Sequence, residues 1–66
     1  MRLKKYKRTF HSDEYPWIAG AAEDLPNEAL ARLLEDIADD AEKAPDRTIS
    51  AVGLADILLA VSDRLK

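Results

Sequence analysis

Two prolines enclose a run of residues whose apolar side chains recur at helical spacing, PNEALARLLEDIADDAEKAP. Proline is well tolerated at the first position of a helix, and the residue before a proline is disfavoured in the α conformation. The sequence therefore predicts a helix over residues 26–43, which begins at Pro26 and is stopped by Pro45. The apolar stripe of this helix contains Leu30, Leu33, Leu34, Ile37 and Ala41,.

A second helix is predicted over residues 50–65. Thr48 or Ser50 can act as its N-cap, because a hydroxyl oxygen accepts a hydrogen bond from an otherwise unpaired amide of the first turn,. Its principal apolar stripe contains Ser50, Leu54, Ile57, Leu58, Val61 and Leu65,.

Val52, Ala55 and Leu59 form a second apolar strip on another side of the same helix. A helix that is apolar on more than one side is normally buried on more than one side. We expect either the segment around Trp17 and Ile18 or another molecule to cover this strip. In the second case the chain would self-associate through Val52 and Leu59.

The N-terminal third of the chain has weaker signals. Pro16 can begin a short helix over residues 16–24, and residues 1–12 form a basic arm that is predicted to be extended or strand-like,. Taken together, the segments predict one small, mainly all-α domain over residues 1–66, a helical hairpin or three-helix fold.

A chain of 66 residues without cysteine can form one small domain, and it forms no disulfides,. No run approaches the roughly 20 apolar residues that cross a bilayer. We therefore expect a soluble, cytoplasmic protein.

The net charge of −3 is distributed unevenly. Five of the ten basic residues lie in the first eight positions, whereas the remainder of the chain holds five basic and all thirteen acidic residues, a net charge of −8. The chain is thus a short basic arm on an acidic body. The arm either lies along that body or stays solvated, or it binds a charged partner.

Most of the acidic side chains near the centre of the chain lie on the first long helix. Those on its outer half are candidates for binding a partner: Glu28, Glu35, Asp36, Asp39, Asp40 and Glu42. Carboxylates on the convex side of one helix diverge, so they suit neither a metal ion nor paired acid–base catalysis. We predict no catalytic residues, no metal site and no cofactor. The surface is either a solvated face or a site for a basic protein.

The first functional hypothesis is a non-enzymatic protein-binding module. An ordered acidic face can resemble the phosphate pattern of nucleic acid and compete for the basic groove of a nucleic-acid-handling protein. Small acidic inhibitors and regulators encoded by phages and plasmids are typical of this class.

The alternative is a dimeric DNA-binding regulator. The two predicted helices, LPNEALARLLEDIADDAEKAPDRTISAVGLADILLAVSDRL, resemble the two-helix half of a ribbon-helix-helix repressor. That resemblance implies a DNA-reading strand directly before Leu25, where this chain instead has WIAGAAED. Nucleic acid would then be bound by the arm, whose basic and aromatic side chains alternate: Arg2, Lys4, Lys5, Tyr6, Lys7 and Arg8.

Overall fold

The computed structural model describes residues 8–66, which contain three α-helices: α1 (Tyr15–Ala19), α2 (Asn27–Lys43) and α3 (Ala51–Leu65). Short 3₁₀ helices at Ala22–Asp24 and Pro45–Arg47 lie in the two connections, and no strand occurs in this part of the chain. The predicted all-α class is confirmed. The predicted arm lies largely outside the described residues, and its described part, residues 8–12, is neither helix nor strand.

Pro26 is the N-cap of α2 and not its first helical residue. Its backbone is extended, at φ −66° and ψ 162°, and its carbonyl accepts the first helical bond from the Leu30 N–H at 2.9 Å. At the other end the Ala44 N–H donates to the Asp40 carbonyl at 2.7 Å, and Ala44 itself leaves the helical region. This departure is expected immediately before Pro45, because the proline ring crowds the preceding residue in the α conformation.

Of the two candidate caps for α3, Ser50 is the one that acts. Its Oγ accepts a hydrogen bond from the Gly53 N–H at 3.2 Å, a contact worth about 1 kcal/mol in comparable helices,. Gly53 is itself buried, and a Cβ added there would lie 3.0 Å from Ile49 Cγ1. The glycine therefore accommodates the close approach of Ile49 to the first turn.

The segment predicted as one helix over residues 16–24 is divided into α1 and the first 3₁₀ helix. The division occurs at Gly20 and Ala21, and Ala21 has left the helical region at φ −116° and ψ 15°. It lets both Ala19 and Ala22 face the interior.

The core lies between α2, α3 and the N-terminal segment. Its buried side chains include Phe10 and Tyr15 from the N-terminal segment, Leu30, Leu33 and Ile37 from α2, and Ile57 and Ala60 from α3. Arg64, near the end of α3, donates to Asn27 Oδ1 at the start of α2 at 2.9 Å. The two long helices are therefore antiparallel.

The buried side of α3 matches its predicted principal stripe only in part: Ile57 is buried and Val61 packs against the core. Gly53, Ile57 and Ala60 are buried, whereas Leu58 and Leu65 are 54% and 81% exposed. Gly53 and Ala60 lie outside the predicted stripe, and α1 and the first 3₁₀ helix both pack against α3.

Candidate partner-binding surfaces

Two of the six predicted partner-binding carboxylates, Asp36 and Asp40, accept hydrogen bonds from the N-terminal segment. The Phe10 N–H donates to Asp36 Oδ2 at 2.7 Å, and the Tyr15 hydroxyl donates to Asp40 Oδ2 at 2.7 Å. Arg32 Nε lies 3.3 Å from Asp36 Oδ1, and the Asp36 side chain is only 12% exposed. Asp36 and Asp40 therefore fasten the N-terminal segment to α2, a structural role that the helical pattern alone did not indicate.

The pKa of Tyr15 is raised above its ordinary value. Burial of the phenol is the largest cause, and the hydrogen bond to Asp40 and the negative charges of Asp40, Asp36 and Asp39 add to it. All of these disfavour the phenolate, because it would lose water and face carboxylates.

This raised pKa predicts a loss of stability in alkali. An unfolded tyrosine ionises near pH ~10, so the contribution of Tyr15 is complete below that pH and decreases as the pH rises above it. Tyr15→Phe is expected to cost about 0.5–1.5 kcal/mol at neutral pH, where the hydrogen bond is lost. The substitution should also make the free energy of unfolding decrease less steeply as the pH rises above ~10. Urea unfolding followed by circular dichroism at neutral and alkaline pH measures both effects, and equal alkaline slopes in the two proteins would contradict this role.

The other four carboxylates lie on the outer side of α2, and we call Glu28, Glu35, Asp39 and Glu42 the acidic face. All four are exposed; the side chains of Glu35 and Asp39 are 68% and 56% exposed. Arg32 lies 4.0 Å from Glu35, and Lys43 Nζ lies 3.0 Å from Asp39, whose hydrogen bond raises the pKa of Lys43. These solvated pairs neutralise the face only in part.

Arg8 is the one predicted nucleic-acid-binding residue within the described range. Its guanidinium forms an ion pair with Glu14 at 2.5 Å and lies over the Phe10 ring, 4.5 Å from the centroid. It is thus engaged with the chain itself. The others, Arg2, Lys4, Lys5, Tyr6 and Lys7, lie outside the described residues.

The second apolar strip of α3 is exposed. Val52 and Leu59 are 76% and 63% exposed, so the predicted cover from the N-terminal segment is absent from the described structure. Ile18 packs against the core, whereas Trp17 is 80% exposed. Trp17 is therefore an exposed aromatic side chain, of the type enriched at binding hot spots.

Arg64 has a structural role that the sequence pattern does not indicate. Besides Asn27, it donates to the carbonyls of Ala22 and Glu23 at 3.2 and 3.1 Å. A basic residue in the last turn of a helix was visible in the sequence, but carbonyl partners more than 40 residues away were not.

Within residues 8–66, no group of three or more His, Asp or Glu side chains is arranged to hold a metal ion. In the same range, none of the helices combines the length and apolar character required to cross a bilayer. Comparisons with protein-family models, with curated proteins and with solved structures gave no match for this chain.

Proposed function

We propose that this chain is a non-enzymatic protein-binding module whose acidic face docks on a basic groove of a larger, nucleic-acid-handling protein. Inhibitors and regulators encoded by phages and plasmids are the class to which it would belong. The observation that carries the proposal is the exposure of Glu28, Glu35, Asp39 and Glu42 on one α-helix.

Two physical arguments support a role in binding. Glu35 and Asp39 are one turn apart, and like charges at that spacing destabilise a helix by a few tenths of a kcal/mol. Their arrangement is therefore not what stability alone favours. Carboxylates held in order on a helix also steer a basic partner and match a groove that otherwise binds phosphates.

Charge reversal on the acidic face tests the proposal. Affinity capture from cells of the native host, using the wild type and the Glu35→Lys/Asp39→Lys variant, should recover a basic protein with the wild type only. Circular dichroism should show unchanged helicity, because both side chains are exposed. Capture that is equal for both proteins would refute the role of the acidic face.

The alternative, a DNA-binding dimer, remains a prediction, as does self-association through Val52 and Leu59. Deletion of residues 2–8 should abolish a salt-dependent shift of duplex DNA if the arm binds phosphates. An intact protein that fails to shift DNA at low salt would exclude that alternative.

A further inference from the structure

The outward side of α3 alternates apolar and acidic residues. Val52, Asp56, Leu59 and Asp63 recur at the i, i+4, i+7, i+11 spacing that places side chains on one side of a helix, and we call them the outward stripe,. All four are exposed, including the large apolar side chains of Val52 and Leu59. Large apolar side chains grouped on a surface mark interaction sites more often than scattered ones do.

A depression of about 260 Å³ adjoins this stripe where α1 and the first 3₁₀ helix pack against α3. It is lined by Ala19, Gly20, Glu23, Asp56 and Leu59. Its small residues, Ala19 and Gly20, leave room for a side chain from outside, and its two carboxylates come from different elements.

Carboxylates predominate around this surface, although Lys66 lies near Asp63 and Arg64 donates to the Glu23 carbonyl. Among the described side chains, no ion pair involves Glu23 or Asp56, whereas Asp63 lies 3.8 Å from the exposed Lys66. A surface on which apolar side chains alternate with carboxylates is complementary to one that offers apolar and cationic groups together.

We propose that the outward stripe and the adjoining depression bind a positively charged amphipathic helix of a partner protein. Its apolar side chains would contact Val52 and Leu59, and its Lys or Arg side chains would pair with Glu23, Asp56 and Asp63. This inference rests on the proposed function, which supplies a basic partner, and adds to it an apolar contact on a different helix from the acidic face.

Charge favours this occupant over a second copy of the chain. In a two-fold dimer the same surface meets itself, so each stripe would face the Asp56 and Asp63 of its counterpart. Like charges brought together in this way oppose association. A basic helix would not cause this repulsion, and its cationic side chains could form ion pairs with the same carboxylates.

Three synthetic peptides of about 18 residues, five helical turns, supply the probe. The first carries a leucine stripe at helical spacing and lysines elsewhere. The second replaces the leucines with alanine, and the third replaces the lysines with glutamate. Calorimetric titration into the full chain should detect binding of the first peptide only, weakening as salt is added.

Matched variants locate the site. Leu59→Ser and Asp56→Asn should each weaken binding of the leucine–lysine peptide by about tenfold or more, a change of ~1.4 kcal/mol. Leu65→Ser removes another exposed leucine of α3, and Asp39→Asn removes one carboxylate from the acidic face. Each control should change the affinity by less than about twofold.

The outcomes separate this inference from the proposed function. If Asp39→Asn weakens peptide binding while Leu59→Ser and Asp56→Asn do not, the inference is wrong and the acidic face stands. Equal losses in Asp56→Asn and Asp39→Asn, with no loss in Leu59→Ser, would show nonspecific charge attraction and would also overturn it. A wild type that binds no peptide and sediments as a dimer, converted to a monomer by Leu59→Ser, would assign the stripe to a second copy instead.

Discussion

Leu33→Ala is expected to lower the free energy of unfolding by about 2–5 kcal/mol, because a fully buried side chain in the middle of α2 would leave a cavity,. At the usual ~0.05–0.15 kcal/mol per residue, a domain of this length has a total stability of roughly 3–10 kcal/mol. The substitution would therefore remove a large share of that stability. Urea denaturation followed by circular dichroism measures the loss directly.

Leu65→Ala is the matched control. Leu65 belongs to the predicted principal stripe of α3, yet it is 81% exposed, and its truncation should change stability by no more than about 0.5 kcal/mol,. Equal losses at positions 33 and 65 would mean that α3 packs through its most apolar stripe, contrary to the structure.

The long helices were predictable because their signals are local. Pro26, Pro45 and the period of the apolar residues lie within α2 or at its ends, and the cap at Ser50 lies one residue before α3. Each signal acts on neighbouring backbone through sterics or a hydrogen bond, so a single sequence contains it.

The orientation of α3 was not predictable from the same pattern. Periodicity weights large apolar side chains, and it therefore selected Leu58 and Leu65. The buried side contains Ile57 from the predicted stripe, but it also contains Gly53 and Ala60, which the pattern did not select. A hydropathy pattern does not show where a small residue permits close packing, because that packing depends on a neighbouring element of the fold.

The candidate site was predictable in outline and not in detail. The pattern places Asp36 and Asp40 on the outer half of α2, and it does not separate them from the exposed carboxylates there. Their partners, the Phe10 N–H and the Tyr15 hydroxyl, are 26 and 25 residues away in sequence. No local rule links such positions, so the division into structural and exposed carboxylates required the structure.

The second large loss of stability is predicted for a substitution in the N-terminal segment. Phe10→Ala is expected to cost about 3–5 kcal/mol, although Phe10 lies outside regular secondary structure, because its ring is only 2% exposed within the core,. In a domain of this size each 1 kcal/mol shifts the melting temperature by about 4–8 °C, so thermal unfolding should show a large decrease. Phe10→Leu retains much of the buried volume and should cost less.

Trp17→Ala provides the comparison that isolates burial from side-chain size. It removes a larger aromatic side chain from the same segment, but that side chain is 80% exposed and should contribute within about 0.5 kcal/mol,. If Phe10→Ala melted with the wild type while Trp17→Ala did not, the Phe10 ring would not contribute to the core, contrary to its burial in the structure.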